Sequence, residues 1–560
     1  GLLDIELTDT YTFSAEGSGD VTLSINGDVV LGPRTGTRGR SVAVALNAGL
    51  NQLHLEYRSP GRGLAQLRLH WQSPRFAREL VPSRVLWHSV RHPELARWSA
   101  VRRGRSLFEA HRCAHCHSAQ GSTLPTQPTI SLDTATARFN HNWMSHWMAN
   151  PRAMRNHTRM PAMFGTSATE IQALRDVLAY LTQLEIVRRK AAAAAAGDVA
   201  AGERRWEQLG CIACHTFGPA SQADEWNRTS LHLAATKYYP AALGRFLAKP
   251  HQYHPQSRMP DFKLTEIETR DLVALIHARS KGRLKQRLLP RGNAGLGKQQ
   301  FVSRGCLSCH GAPLADSDKL KPLEPIRLSF GKQTSSGCLA ETPAQVVGQR
   351  RVPAYGFSKQ QRADLSAFLA SGPDRSPGRS PLEFVAGAIR TLRCAACHDR
   401  DTAISPRREI IAEESELGML PGVLPNLTWA GEKLQTRWTA RLLGGQLKHP
   451  SRPWLKARMP GFGEWGDRLA RGLAAEHGVS IEAPSGLRPE RTLAEIGAKL
   501  TLKQGGFNCL QCHGVGSKPA MAPFDNRGVN FSRVRDRLRY GFYLDWMFDP
   551  LRLDPHSKMP

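Results

Sequence analysis

The 560-residue sequence is short of acid: 48 Asp and Glu stand against 76 Lys and Arg, for a formal net charge of +28 and a pI near 10.2. That balance implies an acidic partner, whether a redox protein, an anionic membrane surface, a polysaccharide or a nucleic acid. Long apolar runs are missing too. None approaches the roughly 18 residues a membrane span needs, and 41% hydrophobic with 22% charged residues fits a soluble globular chain. No signal peptide stands at the start, and Gly1 opens directly into strand-like sequence, so a targeting segment is expected to have been removed or left out. A length of 560 residues implies several domains rather than one core.

Cysteine is what the chain has in a pattern. Ten of its eleven cysteines form five Cys-x-x-Cys pairs: Cys113 and Cys116, Cys211 and Cys214, Cys306 and Cys309, Cys394 and Cys397, Cys509 and Cys512. Each pair is followed at once by a histidine: His117, His215, His310, His398 and His513. Cys338 stands alone. A zinc ribbon needs two pairs some 15–20 residues apart, whereas successive pairs here lie 85 to 112 residues apart. A thioredoxin-like redox motif does not require His after the second Cys. Cys-x-x-Cys-His is the attachment signature of c-type haem: two thiols add to the two vinyl groups, and the adjacent histidine ligates iron. The expected cofactors are five covalently bound haem c groups.

Each motif sits in a repeat of about a hundred residues. Gly104 and Phe108 recur as Gly202 and Trp206, then as Gly297 and Phe301, nine and five residues before the first Cys; repeats four and five have only Ile389 and Gln504 at the second position. Downstream, Arg/Lys-Met-Pro appears at Met160, Met259, Met459 and Met559, with Pro151, Pro250, Pro450 and Pro550 nine residues before. His-to-Met separations are 43, 44, 61 and 46 residues. Capping boxes Ser167-x-x-Glu170 and Thr265-x-x-Glu268 then predict helices, the first with an apolar stripe of Ile171, Leu174, Leu178 and Leu181.

This layout resembles small class I cytochrome c domains five times over. The resemblance implies His/Met ligation, with Met160, Met259, Met459 and Met559 as distal ligands. Bis-His ligation is the rival, through His157, His254, His449 or His556, but their offset from the methionine varies. The resemblance also implies haem attachment outside the cytoplasmic membrane, so a periplasmic or extracellular location and no nucleic-acid partner.

Repeat three breaks the pattern. Pro343, Arg351 and Pro353 keep the register, but Val352 stands where methionine should, and no Met or other His occurs from Gly311 to Arg393. Read in sequence order, the third haem is either open to a small molecule or bound by the lone Cys338 as thiolate, as in catalytic haems of some thiosulfate-oxidising cytochromes. Tyr355 or a lysine is a further option.

Residues 1–90 hold no motif. Val21, Leu23 and Ile25 alternate into an Asn26-Gly27 hairpin turn, and Val42, Val44, Leu46, then Leu50, Leu53, Leu55, then Leu67, Leu69, Trp71 continue the series. The stretches Tyr11-Thr12-Phe13, Ala48-Gly49-Leu50, Leu55-Glu56-Tyr57 and Leu67-Arg68-Leu69-His70-Trp71 resemble the later half of a PA14 domain. Glycan-binding PA14 relatives use adjacent Asp residues and calcium; no Asp-Asp pair occurs here, which favours a structural or docking sandwich. The sandwich starts midway and repeat five stops before a closing helix, so the sequence reads as a piece of a longer polypeptide or one that a partner completes.

The expected architecture is therefore a partial PA14-like β-sandwich (1–90) followed by five mainly α-helical cytochrome c-type domains at 91–190, 191–290, 291–376, 377–484 and 485–560, with breaks at 191–197, 280–297, 371–381 and 483–491. The leading function is a pentahaem electron carrier between acidic redox partners, within a larger complex that touches membrane only peripherally or through a partner. Arg102, Arg103, Arg105, Lys281 and Lys285 supply steering charge. The alternatives are a haem enzyme acting on sulfur compounds or peroxide at the third haem, and a structural anchor.

Overall fold

The computed structural model describes residues 1–32, 42–63, 65–119, 124, 128–155, 158–183, 196–287, 291–328, 330–331, 335–341, 346–347, 350–372, 379–414, 424–448, 452, 457–481, 490–521, 528–557 and 559. Pro343, Pro450, His157 and His449 lie outside these, as do Lys558 and Pro560 and parts of the breaks read from the sequence. The chain forms two compact units, one of Gly1–Val90, Pro381–Ser405 and Gly422–Pro560, the other of Arg91–Ser380 and Pro406–Pro421.

In the first unit the N-terminal strands are β1 (Leu2–Ile5), β2 (Asp9–Ser18), β3 (Asp20–Ile25), β4 (Asp28–Leu31), β5 (Val42–Leu46), β6 (Gly49–Arg58), β7 (Gln66–Ser73), β8 (Phe76–Leu80) and β9 (Leu86–Trp87). They make two antiparallel sheets, ordered β4-β3-β6-β1-β9 and β5-β2-β7-β8. Alternation decides which residues meet between them: Leu3, Phe13, Leu23, Ile25, Leu46 and Trp71 share one buried core. Asn26 (φ 54°) and Gly27 (φ 95°) are both left-handed, as a two-residue hairpin turn requires. In β6 the buried position before Leu53 is Asn51, so Leu50 faces solvent at 62% exposure. Asn51 takes an amide hydrogen bond from Asn26 at 2.8 Å, which ties that position to the hairpin.

Also in this unit, the opening helix of repeat four, Pro381–Leu392, packs on its closing helix, Trp465–Glu476. The glycine that lets them approach is Gly472 on the closing helix: a β-carbon there would lie 2.5 Å from that of Val385. Val385 occupies the place held by glycine in repeats one to three, so the close contact survives with its partners reversed. The opening helix of repeat five, Arg491–Leu500, buries none of its residues.

The second unit holds the opening helices of repeats one, two and three (Pro93–Ala110, Val199–Gln208, Ala294–Ser303) and their closing helices (Ala168–Gln183, Glu266–Arg279, Lys359–Ser371). Repeat two closes on itself: a β-carbon on Gly202 would sit 2.4 Å from the Asp271 carbonyl oxygen. Repeats one and three do not. Gly104 meets the carbonyl of Asp364, at 1.9 Å from a would-be β-carbon, and Gly297 meets that of Asp176, at 1.8 Å. Each opening helix is thus docked on the other repeat's closing helix. The helix Arg407–Glu414 also belongs here: Ile410 and Ile411 are buried in the core of repeat two with Trp206, Ile212 and Leu272. It is drawn from between His398 and Met459, which accounts for the long 61-residue spacing in repeat four.

Candidate haem-attachment sites

In every motif the residue before the first cysteine is left-handed: Arg112 (φ 59°), Gly210 (77°), Gly305 (74°), Arg393 (60°) and Asn508 (56°). That conformation suits glycine and strains an arginine, so its recurrence in all five marks a turn the motif requires. The chain then makes one tight helical turn, Cys113–His115, Cys211–Ala213, Cys306–His310, Cys394–Ala396 or Cys509–Gln511, which sets two thiols three residues apart on one face. In four of the five the N–H of the second cysteine donates to the carbonyl of the first: Cys116 to Cys113 at 3.0 Å, Cys214 to Cys211 at 3.1 Å, Cys397 to Cys394 at 3.2 Å and Cys512 to Cys509 at 3.2 Å. No disulfide joins any of the eleven cysteines, and each is half-buried. Among the described residues no group of three or more His, Cys, Asp and Glu side chains gathers as a bare metal site.

Four of the five motif histidines are oriented for a metal. The Nδ1 of His215 faces the Thr229 carbonyl at 3.3 Å, that of His310 the Ile130 carbonyl at 3.1 Å, that of His398 the Pro425 carbonyl at 2.8 Å and that of His513 the Val529 carbonyl at 2.8 Å. A carbonyl only accepts, so Nδ1 carries the proton and donates, and Nε2 keeps its lone pair for iron. Burial pushes His310 down to about 4, which favours the neutral ring. These residues fit a covalently held haem with histidine as one axial ligand.

The exchange between repeats one and three reaches the motifs. In repeat two the carbonyl of the second cysteine, Cys214, accepts the N–H of Thr229, and in repeat five Cys512 accepts that of Gly528, both at 2.8 Å and both from their own repeat. Cys116 instead accepts Ile326 N–H at 2.8 Å, and Cys309 accepts Ile130 N–H at 3.0 Å. Repeat four departs from the expected equivalence in another way. Its returning segment bonds two residues beyond Cys397, with Leu427 N–H on the Asp399 carbonyl at 2.9 Å, and the Ser405 hydroxyl caps the Ala396 carbonyl at 3.0 Å. The longer chain between His398 and Met459 shifts that register, so Cys397 keeps the turn of the motif within a differently built loop.

Cys306 and Leu307 pack with Trp143, Trp147, Phe164 and Leu174 of repeat one. Cys113 and Phe108 pack with Phe330, Leu339, Tyr355 and Phe368 of repeat three. Sequence order places Cys338 with the third motif. In the fold it lies by the first, near enough to Cys113 and Cys116 for their charges to be felt: burial, then Cys116, raises its thiol pKa to about 11. Val352 is half-buried, and Ala354 pairs with Ala162, two residues beyond Met160.

Of the four methionines, Met160 and Met559 accept a hydrogen bond at sulfur, from Trp147 Nε1 at 2.9 Å and Trp546 Nε1 at 3.1 Å. Met259 packs against the core of repeat two, and Met459 is 37% exposed. His254 Nε2 faces Arg112 at 3.5 Å, and His556 is exposed. The two tryptophans were missed in the sequence, although each stands thirteen residues before its methionine; Phe246 and Gln446 hold that place in repeats two and four.

Half-buried cations were missed as well. Burial, then the Arg258 guanidinium, pushes Arg155 and Arg159 down to about 10. Lys237, over the rings of Phe139, Trp143 and Tyr238, and Lys433, over Phe542 and Trp546, are both pushed to about 7, first by burial. Each lysine ends a four-residue helix whose next residue pairs with a neighbouring repeat: Tyr238 with Phe139, and Leu434 with Leu538. Desolvated cations of this kind fit carboxylates, such as haem propionates.

Residues 101–185 match the family model of cytochrome c. The chain carries a cytochrome c domain. The match supports a c-type cytochrome with covalently bound haem and a haem-based electron-transfer role. The matched stretch is contiguous in sequence, yet its motif and its closing helix pack on different partners in repeat three. No curated protein matches the chain. Two solved structures resemble it over a short span: an anti-sigma factor domain-containing protein (26% identity, TM-score 0.15) and one from Clostridium clariflavum (25% identity, TM-score 0.15). Each match covers 16% of this chain and 32% of the other, so this chain spans about a third of their length. Among the described residues no helix is long and apolar enough to cross a membrane.

Proposed function

We propose that the protein is a pentahaem c-type cytochrome that carries single electrons between redox partners on the periplasmic or extracellular side of the cell envelope. The carrying observation is the fivefold recurrence of one local geometry: a left-handed residue, a tight turn bearing two thiols, and a histidine directly after it. Haem, when bound, supplies a one-electron couple; the chain supplies axial ligands, burial and spacing. Met160, Met259, Met459 and Met559 are the proposed distal ligands. The net charge of +28 favours acidic partner proteins, and the N-terminal sheets serve as a PA14-like docking module within a larger complex.

Intact-mass spectrometry of the protein matured with haem c tests this directly. The expected mass increment is five haems. An increment of fewer, with unmodified thiols in one or more motifs, overturns the count.

A further inference from the structure

We infer that repeats one and three are one intertwined pair, in which Met160 belongs to the iron held by Cys306, Cys309 and His310, while the motif of Cys113, Cys116 and His117 is the one without a methionine. The inference rests on the reading of these motifs as haem sites and reassigns which chain segments complete two of them.

Four features cross over in the same sense. The opening helix of each repeat docks on the other's closing helix through Gly104 against Asp364 and Gly297 against Asp176. The backbone partner of each second cysteine comes from the other repeat, Ile326 for Cys116 and Ile130 for Cys309. The His310 imidazole is held by the Ile130 carbonyl. The apolar cores follow suit: Trp147, whose indole donates to Met160 sulfur, shares a core with Cys306 and Leu307, whereas Tyr355 and Phe357, just beyond Val352, share one with Cys113. Each domain still contains one opening helix, one motif, one distal stretch and one closing helix, as an exchange of equivalent elements between copies requires. Only the copy changes.

Cross-contacts hold the pair together. Glu170 of repeat one takes ion pairs from Arg304 at 2.9 Å and Arg351 at 2.8 Å. His115 Nδ1 faces the Ser308 carbonyl at 2.5 Å, which sets the two motifs against each other. Arg103 pairs with Asp364 at 2.8 Å. Methionine is therefore missing from the third repeat of the sequence but, in space, from the first motif, whose surroundings offer Cys338 and Tyr355 instead.

Two experiments on the full haem-loaded chain test the pairing. The first removes one attachment at a time and reads the far-red charge-transfer band of methionine bound to ferric iron, with haem number checked by mass. Replacing Cys113 and Cys116 by Ala should remove one haem and leave that band intact; replacing Cys306 and Cys309 should cost about a quarter of it. The reverse pattern overturns the pairing. A wild-type protein with no haem on the first and third motifs would instead overturn the haem reading there, and the pairing with it. The second needs no lost haem: an Arg103→Lys variant treated with a zero-length carbodiimide should cross-link to Asp364. A cross-link to Asp176, the repeat-one residue at the same register, overturns the intertwining whatever the spectra show.

Discussion

The indole N–H of Trp147 points at the sulfur of Met160, 2.9 Å away, and Trp546 repeats this with Met559 at 3.1 Å. A donor on a thioether ligand draws density from the sulfur and favours the electron-richer reduced iron. Trp147→Phe keeps the ring and loses the bond. At about 1 kcal/mol per hydrogen bond, the potential of one haem should fall by ~40 mV. Trp546→Phe should do the same at a different haem. Potentiometric titration reads both, and unchanged potentials would show that these bonds do not persist on ligation.

Glu170 makes stability depend on acid. Burial alone would raise its pKa, but Arg304, the Gly165 N–H and Arg351 overcome that and hold it down to about 2. A carboxylate depressed in the folded state contributes stability above its unfolded pKa, and that contribution drains away as pH falls from about 4.5 towards 2. Glu170→Gln should therefore cost about 3 kcal/mol at neutral pH, and the gap from wild type should close by pH ~2. A gap that stays constant with pH would mean the loss is packing rather than charge.

Glycines in two settings should respond with opposite signs. Gly104→Ala forces a methyl against the Asp364 carbonyl and should destabilise by about 2 kcal/mol or more. Gly497 lies in the exposed Arg491–Leu500 helix with nothing within 4 Å of a β-carbon. Gly497→Ala should add about 0.5–1 kcal/mol. Denaturant unfolding of both, against wild type, is the measurement.

Thr265 and Ser167 look alike in sequence but should not behave alike. Thr265 and Glu268 form both bonds of a capping box. Ser167 accepts the Glu170 N–H at 3.3 Å, but the Glu170 carboxylate is turned to Gly165 and the two arginines. Thr265→Ala should cost about 1 kcal/mol and Ser167→Ala less, read as shifts in thermal midpoint.

What the sequence made legible was local. Alternation at Val21, Leu23 and Ile25 foretold β3 and its Asn26-Gly27 turn, because side-chain period and turn conformation are both set within a few residues. The helices that follow Ser167 and Thr265 could be read for the same reason. What could not be read was the choice among equivalent partners. The helix bearing Gly104 has a surface that suits the Asp176 helix or the Asp364 helix, and nothing within one repeat says which will be met. Gly472 escaped notice because repeat four places the small residue on the opposite helix. Cys338 was put beside the wrong motif by the same assumption that each repeat is its own domain.

The exchange has a consequence for how the chain assembles. Arg103 finds Asp364 at a sequence separation of 261 residues, and closing so large a loop delays the reward of contact. Of the first three repeats, only the second contains both helices of its own closure, so it can complete while repeat one still waits. During synthesis the opening helix of repeat one has no permanent partner until repeat three emerges, and its thiols wait with it.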